Sequence, residues 1–364
     1  MEAVKETRLL KAHFCTDTDG NRLLTEKTKE GLSEAAKIIR EGGLVVFPTE
    51  TVYGLGGNAT DEDAARKIYA AKSRPSDNPL IIHVSDPEDA EKYAYTNELY
   101  YKFARAFMPG PLTVIMPKKE SIPLSVTGGL DSVAVRCPSH PVARELIRQA
   151  GVPIAAPSAN LSGKPSPTNA RHVLDDMNGR VDMIIDGGEC DIGLESTIIK
   201  IDGDLVTLLR PGGITYDALC CIADKVEVSS AVTEKLAENA RPLSPGMKYR
   251  HYAPSAPVVL LEGEESDIVS FLTKETASKS CLVLCYTEEL NMLPSKCVID
   301  IGKQDDLQTQ AKRLFTALRD ADASSPEIIY AHLPQKDGIG LALYNRMIRA
   351  AAYTVRHISS EDLA

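Results

Sequence analysis

The stretch FPTETVYGLGGNATDEDAARKIYAAKSRPSDNPLIIHV, residues 47–84, places a glycine-rich segment and a short helix between two apolar runs. The first run, 44–47, ends at Pro48, and the small hydroxyl residues and glycines that follow let a ligand approach the backbone. We therefore predict a strand over 44–47, a binding loop after it and a second strand over 80–84. The order strand, loop, helix, strand is typical of a ligand site in an α/β fold.

The helix of this stretch is predicted to begin after Thr60, as its N-cap, and to run to Lys72, with Pro75 stopping it. Its end delivers Lys72 and Arg74 into a turn bounded by Pro75 and Pro79. Two cations beside loops suit phosphate oxygens, so both are candidates for binding a phosphorylated ligand. The alternative is a solvated helix end, because cations there also complement the helix dipole.

Length and composition limit the classes of protein that fit this chain. Its 364 residues are enough for two domains, since single cores stop growing at roughly 250–300 residues. A net charge of -10, no tryptophan and few aromatic residues argue against a surface that holds nucleic acid by phosphate attraction and base stacking. No window approaches the roughly 20 apolar residues of a membrane span, and the start lacks a signal peptide. We expect a cytoplasmic protein.

The eight cysteines do not form a pattern of paired CxxC sequences. A disulfide framework is not expected in a chain of this length. Buried free thiols are the favoured interpretation, with metal ligands as the alternative, and no protein metal site is predicted.

Residues 44–209 alternate short apolar runs with helical patterns, which indicates a sheet-centred α/β or α+β domain. Beyond residue 257 a second alternation predicts a small Rossmann-like sheet. No G-x-G-x-x-G follows its first strand, so a dinucleotide site is not indicated. The further predicted strands are 112–116, 132–136, 152–156, 181–185, 197–201, 205–209, 258–261, 281–286, 297–301 and 328–331, and the C-terminal helices are 265–277, 304–319 and 340–353.

The segment LSPGMKYRHYAPSAP, residues 243–257, connects the two parts. Its prolines mark an interdomain connection, but its centre is dense in cationic and aromatic residues. We therefore predict a segment that docks onto a site, with a plain linker as the alternative.

Several polar loops follow apolar runs in the first part. Arg136 ends a predicted strand, where it can grip a carboxylate or form a surface salt bridge. The segment AAPSANLSGKPSPT, residues 155–168, carries small hydroxyls suited to a nucleotide or to an ordinary surface turn. Similar loops lie at 187–197 and 210–213. Their common position at strand ends favours one shared ligand site.

Six of these motifs, PTETVYGL, KSRPSDNPL, a strand ending in RCP, PSANLSGKPSPT, ESTI and LRPGG, occur in an order that resembles the YrdC/Sua family of threonylcarbamoyl-AMP synthases. SPGMKYRHYAP with the tail resembles the longer, two-domain members. The resemblance implies a YrdC-like twisted mixed sheet with helices over 1–228, a linker docking on the active site over 229–256, and a smaller Rossmann-like α/β domain over 257–364.

The resemblance also implies an activity. Such enzymes form threonylcarbamoyl-AMP and pyrophosphate from L-threonine, bicarbonate or CO2, and ATP, with Mg2+ carried by the ATP. The product serves tRNA threonylcarbamoyladenosine modification through downstream transfer proteins, and the acidic balance argues against stable tRNA binding by this chain. The implied threonine pocket is Thr51, His83, Arg136, Ala156 and Ser196. The implied ATP site is Lys72, Arg74, Asn78, Ser132, Ser158, Ser166, Arg210, Tyr249 and Tyr252, with Lys72 and Arg74 also the catalytic candidates.

Two other functions stay open from the sequence. A double-stranded RNA-binding module would use Lys72 and Arg74 in a basic patch, against the acidic balance of the whole chain. A related carbamoyl transfer in metallocluster maturation would keep the fold and change the substrate, but the zinc-finger-like cysteine pairs and acylphosphatase-like region of that larger enzyme are missing from the sequence.

Overall fold

The structure, a computed structural model, describes residues 5–18, 20, 22–235, 242–245 and 251–363. The chain folds as two α/β units, each built on its own sheet, which confirms the predicted fold class. In the described part, no helix combines the length and the apolar content needed to span a bilayer.

The first unit is built on an eleven-stranded mixed sheet. The strands of this part of the chain are β1 (Arg8–Lys11), β2 (Phe14–Thr16), β3 (Arg22–Leu24), β4 (Val45–Phe47), β5 (Gly54–Asn58), β6 (Ile81–His83), β7 (Leu112–Pro117), β8 (Ser132–Arg136), β9 (Ile154–Ala155), β10 (Met183–Asp186), β11 (Thr197–Asp202), β12 (Leu205–Arg210) and β13 (Lys225–Val228). The sheet order is β1-β10-β4-β5-β9-β6-β8-β7-β11-β12-β13, and β2 and β3 form a separate antiparallel pair.

Helices cover both faces of this sheet because their apolar residues recur on one side. They are α1 (Glu26–Arg40), α2 (Glu62–Lys72), α3 (Glu98–Phe107), α4 (Pro141–Ala150), α5 (Ala170–Met177) and α6 (Tyr216–Cys220). One face packs against α1 and α4, and the other against α2, α3 and α5. Short 3-10 helices lie at Pro87–Lys92, Ser230–Val232, Thr287–Glu289, Ser295–Cys297 and Ser360–Leu363.

Two expectations for the opening stretch are wrong. The glycine-rich residues of β5 form a strand rather than a loop, and they are glycines because a Cβ on Gly56 would lie 2.8 Å from both Ile154 and Phe47. The N-cap of α2 is Asp61, whose side chain accepts from the Asp63 amide at 2.9 Å, whereas the Thr60 hydroxyl bonds to Asn58. A sequence pattern does not show how tightly a strand packs, and it does not distinguish between two adjacent residues that can each act as an N-cap.

The predicted helix end at Lys72 is confirmed, but Pro75 is not what ends the helix. The helix closes at Lys72 because Ser73 adopts a left-handed conformation with φ 52° and bonds back to Ala70. This turn directs the chain into the segment that carries Arg74, so the end of α2 is fixed before Pro75 acts.

The second unit is a five-stranded parallel sheet, as the Rossmann-like pattern predicts. Its strands are β14 (Val258–Gly263), β15 (Cys281–Cys285), β16 (Val298–Asp300), β17 (Ile328–His332) and β18 (Val355–Ile358), in the order β16-β15-β17-β14-β18. Its helices are α7 (Glu265–Ser278), α8 (Leu307–Ala323) and α9 (Gly340–Ala350). The sequence did not predict β18, which is short and has polar residues at its centre.

The two units share part of their apolar core. Val52 and Leu194 of the first unit lie in the same buried cluster as Phe315 of α8 and Met347 of α9. Burying such side chains is worth about 1.5–3 kcal/mol each, so this contact holds α8 and α9 against the loops at the edge of the first sheet.

Candidate active site

A cavity of about 50 Å³ lies where the carboxyl ends of β6 and β8 meet the loops before β11 and after β12. Ligands in open α/β sheets bind at such strand ends. The cavity is lined by Thr49, Val52, Gly54, Arg74, Ile81, His83, Arg136, Ala156, Pro157, Ser158, Asn160, Ser166, Glu195, Ser196, Arg210, Pro245, His251 and Tyr252.

Nine of the predicted site residues line this cavity. They are His83, Arg136, Ala156 and Ser196 of the predicted threonine set, and Arg74, Ser158, Ser166, Arg210 and Tyr252 of the predicted ATP set. Thr51, Lys72, Asn78 and Ser132 do not line it. Tyr249 lies outside the described residues.

The register of the sheet brings His83 and Arg136 together. The two residues are paired across the parallel strands β6 and β8, so both side chains leave the sheet at the same edge. Ala156 joins them because its amide donates to the Ile81 carbonyl at 2.9 Å, immediately after β9. One strand pairing therefore places three of the predicted threonine residues.

Arg136 is a buried cation with capacity left for a ligand. Its terminal nitrogen lies 2.7 Å from a carboxylate oxygen of Glu50, and its Nε has no hydrogen-bond partner among the described residues. The other Glu50 oxygen accepts from the Ser139 amide at 3.2 Å. The sequence did not indicate Glu50, because nothing in PTETVYGL distinguishes a buried counter-ion from a solvated carboxylate.

His83 is neutral in this site. Burial, with a further contribution from the charge of Arg136, lowers its pKa from 6.5 to about 3. Its Nδ1 lies 3.3 Å from the Ile154 carbonyl. A neutral ring can donate or accept one hydrogen bond towards a ligand, but it adds no charge.

Thr51 lies one layer behind the cavity wall. It is fully buried, and its hydroxyl lies 2.9 Å from that of Thr49, which does line the cavity. The Thr49 hydroxyl in turn donates to the Val52 carbonyl. Thr51 thus helps to fix the turn that presents Thr49.

Lys72 is also behind the wall. Its ammonium donates to the carbonyls of Ser158 and Asn160, the latter at 2.6 Å, and the side chain is 1 % exposed. Burial, and then the charge of Arg74, lower its pKa well below the ordinary value. Its place in the structure is to hold the loop 156–168 that carries Ser158 and Ser166.

Arg74 lines the cavity directly. Its guanidinium donates to the carbonyls of Asn78 at 3.3 Å and Pro79 at 3.2 Å, which fixes it beside the start of β6. Asn78 therefore supports Arg74 through its backbone. Ser132 begins β8, at the opposite end of that strand from Arg136.

Arg210 ends β12 and points at the same cavity. It donates to the Ser196 carbonyl at 3.1 Å and to the Ser196 hydroxyl at 3.2 Å. The Ser196 hydroxyl lies 2.7 Å from that of Thr113. Ser196 thus lies between the two predicted halves of the site, since it touches Arg210 and shares the cavity with Arg136.

The connecting segment covers the cavity, and we call the described residues 242–245 and 251–257 the strap. Pro245, His251 and Tyr252 line the cavity, and the Tyr252 ring stacks on Phe315 of α8 with centroids 5.3 Å apart. Burial, followed by the charge of Arg74, holds the pKa of His251 well below its usual value, so this ring is neutral too.

The wall of the cavity carries a net positive charge. Arg74, Arg136 and Arg210 line the cavity, while the two carboxylates of Glu50 and Glu195 offset only part of that charge. Cations in a water-poor pocket attract anions such as carboxylate and phosphate. Within the described ranges, no group of three or more His, Cys, Asp or Glu side chains is placed to hold a metal ion.

Comparison with known proteins gives two adjacent family matches. Residues 37–212 match the Sua5/YciO/YrdC family model, described as telomere recombination, and residues 214–352 match the threonylcarbamoyl-AMP synthase C-terminal domain. Threonylcarbamoyl-AMP synthase of Bacillus subtilis is 43 % identical over 88 % of this chain and 92 % of its own length. That of Pyrococcus abyssi is 44 % identical over 88 % of this chain and 94 % of its own.

The solved structures include a relative in complex with L-threonine. Sua5 of P. abyssi in complex with L-threonine superimposes with a TM-score of 0.85 at 40 % identity, covering 97 % of this chain and 99 % of that one. These matches confirm the resemblance seen in the motifs. The chain therefore belongs to the family of threonylcarbamoyl-AMP synthases, transferases that make an AMP-linked intermediate from ATP.

Proposed function

We propose that this chain forms threonylcarbamoyl-AMP and pyrophosphate from L-threonine, bicarbonate or CO2, and ATP, and that both larger substrates meet in the cavity. The observation that carries the proposal is the convergence of three guanidinium groups, from Arg74, Arg136 and Arg210, on one buried space. Two anionic substrates brought into contact repel one another, and fixed cations offset that repulsion.

In the threonine half, Arg136 binds the carboxylate of the amino acid. Its Nε, which has no partner in the described part of the chain, supports this role, because a buried donor without a partner is costly unless a ligand satisfies it. Neutral His83, Ala156 and Ser196 complete the pocket, and Thr51 acts through Thr49. L-threonine bound to P. abyssi Sua5 supports the choice of amino acid.

In the ATP half, Arg74 and Arg210 hold phosphate oxygens, with hydroxyls from Ser158 and Ser166 beside them. Arg74 is the proposed catalytic cation, and Lys72 positions the loop that carries the two serines. Contacts of ATP with Asn78, Ser132, Tyr249 and Tyr252 remain proposals from the family resemblance.

The chemistry needs positioning more than acid or base groups. The amine of threonine adds to CO2 and releases a proton to water, giving a carbamate. A carbamate oxygen then forms a bond to the α-phosphorus while the bond to the β-phosphate oxygen breaks and pyrophosphate leaves. Holding these groups in line accounts for much of the acceleration expected of such a site. Mg2+ would arrive with ATP, on the phosphates.

The cavity in this structure is far smaller than the roughly 300–1,000 Å³ of usual ligand sites. We therefore propose that the strap moves aside for ATP and closes on it. The boundaries 1–228, 229–256 and 257–364, the downstream tRNA threonylcarbamoyl-transfer partners and the cytoplasmic location remain predictions.

One assay tests the proposed function. Pyrophosphate release from ATP with bicarbonate is measured against each of the twenty amino acids, and release is expected with L-threonine. If no amino acid supported pyrophosphate release, the proposal would be refuted. A salt-sensitive gel shift with double-stranded RNA, in the absence of such turnover, would instead support the RNA-binding alternative.

A further inference from the structure

Arg346 of α9 reaches out of the C-terminal unit into the back of the ATP half. Its side chain has no exposed surface. Its Nε donates to the Glu195 carboxylate at 2.9 Å, and its two terminal nitrogens donate to the Glu195 carbonyl at 3.1 Å and the Pro211 carbonyl at 2.7 Å. One arginine thus ties the turn before β11 to the turn after β12.

Glu195 is the buried acid of this half. One of its oxygens accepts from the Ser166 hydroxyl and the other from Arg346. Burial alone raises the pKa of Glu195, but the charges of Arg346 and Arg210 hold it below the usual value, so the group is ionised. A buried carboxylate requires a cation close by.

Arg210 is the other cation that acts on Glu195, and it has a competing task. It donates to Ser196 and lines the cavity, where the proposed function assigns it to ATP. A single guanidinium cannot keep both its present contacts with Ser196 and a full pairing with Glu195. The pairing of Glu195 with Arg346 therefore decides where Arg210 points.

We propose that Arg346 is a positioning residue for ATP: by pairing with Glu195 it keeps Arg210 directed at Ser196 and the cavity. The inference rests on the proposed function and deepens it, since it gives the C-terminal unit a defined task in nucleotide binding. Without Arg346, Glu195 draws Arg210 towards itself, and ATP loses a cation while the threonine half keeps Arg136.

The test compares the full-length enzyme with Arg346→Gln in pyrophosphate release at varied ATP and varied threonine. The KM for ATP is expected to rise about tenfold, as for loss of one charge-assisted hydrogen bond from Arg210, with the KM for threonine changed less than twofold. Arg313→Gln is the matched control, because Arg313 pairs with Asp300 at 2.8 Å on the half-exposed face of α8. It should leave both constants unchanged.

The double variant Glu195→Gln/Arg346→Gln separates charge competition from loss of packing. With no buried carboxylate to attract it, Arg210 should return to the cavity, and the KM for ATP should fall back to within about threefold of the parent value. Replacing both members of a buried pair by neutral groups of similar shape is also tolerated better than removing one, so this variant is informative even where Arg346→Gln alone fails to fold.

Outcomes against the proposal are distinct. Equal changes in both KM values, or a fall in kcat alone with a lowered melting temperature, would make Arg346 a structural residue only. A tenfold KM for ATP that persists in the double variant would overturn the charge-competition account. ATP binding measured by titration calorimetry distinguishes failure of the proposed function from failure of this inference. A parent enzyme that does not bind ATP refutes both. Normal ATP binding by both the parent and Arg346→Gln refutes the inference alone.

Discussion

The two halves of the cavity are built in different ways. The threonine half comes from one sheet, with His83 and Arg136 paired across two neighbouring strands. The ATP half is assembled from the end of α2, the loop 156–168, the end of β12 and the strap, with Arg346 behind them. Register therefore fixes the first half, whereas contacts between separate segments fix the second.

This difference predicts how far the effect of a substitution extends beyond the substituted residue. A substitution in the threonine half should act on one substrate, because the sheet holds the neighbours in place. A substitution in the ATP half should also disturb the segments that lean on the altered residue.

The largest effect is expected from Arg136→Ala. It removes a charged donor pair at the end of β8, worth about 3 kcal/mol, so kcat/KM for threonine should fall about a hundredfold while the KM for ATP stays within about threefold. Steady-state kinetics of pyrophosphate release measure both. Arg144→Ala is the control, since among the described residues the exposed Arg144 side chain donates hydrogen bonds only to the Ser85 carbonyl. An equal loss for ATP would show that the two halves are not separate.

The next effect is expected from Arg74→Ala in the ATP half. Loss of one charge-assisted bond of about 1.5 kcal/mol should raise the KM for ATP about tenfold, with a smaller effect on threonine. The control is Arg66→Ala on the preceding helix, because among the described residues Arg66 pairs only with the exposed Glu62 and Asp63. If Arg74→Ala changed the KM for threonine more than that for ATP, the assignment of the halves would be reversed.

The strap should give a smaller effect. Tyr252→Ala removes the stack on Phe315, worth about 0.5–1.5 kcal/mol, and should raise the KM for ATP about fivefold by loosening the closed strap. Tyr252→Phe keeps the stack and is the control, with less than a twofold change expected. An effect of Tyr252→Phe as large as that of Tyr252→Ala would assign the role to the hydroxyl instead of the ring.

The sequence predicted the strands that carry the threonine half because periodicity reports burial and chain order reports strand ends. His83 and Arg136 follow from that pattern together with the family motifs. The ATP half was only partly predictable. The resemblance implies Arg210, Ser166 and Lys72 as ATP residues, but it does not reveal that the Lys72 ammonium donates to the carbonyls of Ser158 and Asn160.

The partners of the buried charges could not be predicted. Glu50 lies 86 residues from its charge partner Arg136, and Arg346 lies 151 residues from its partner Glu195. No local pattern distinguishes a buried ion from an exposed one. In α9 the sequence NRMIR resembles an ordinary helix end, yet Arg346 is fully buried. Such pairs exist only once two separate segments pack, so they belong to the tertiary structure alone.

The smallest effect concerns pH and tests how tightly the threonine half is sealed. His83 has a folded pKa of about 3 against 6.5 when unfolded, so the unfolded chain binds the extra proton as the pH falls. Its contribution to stability is therefore complete above about pH 6.5 and is lost towards pH 3. Between pH 7 and 6 this single group should lower the free energy of unfolding by about 0.7 kcal/mol, a slope that His83→Gln removes and the exposed control His357→Gln keeps. Urea titrations at the two pH values measure it. If the free energy of unfolding of His83→Gln depended on pH as it does in the parent, water and protons would reach the His83 ring. The threonine half would then be as accessible to solvent as the ATP half.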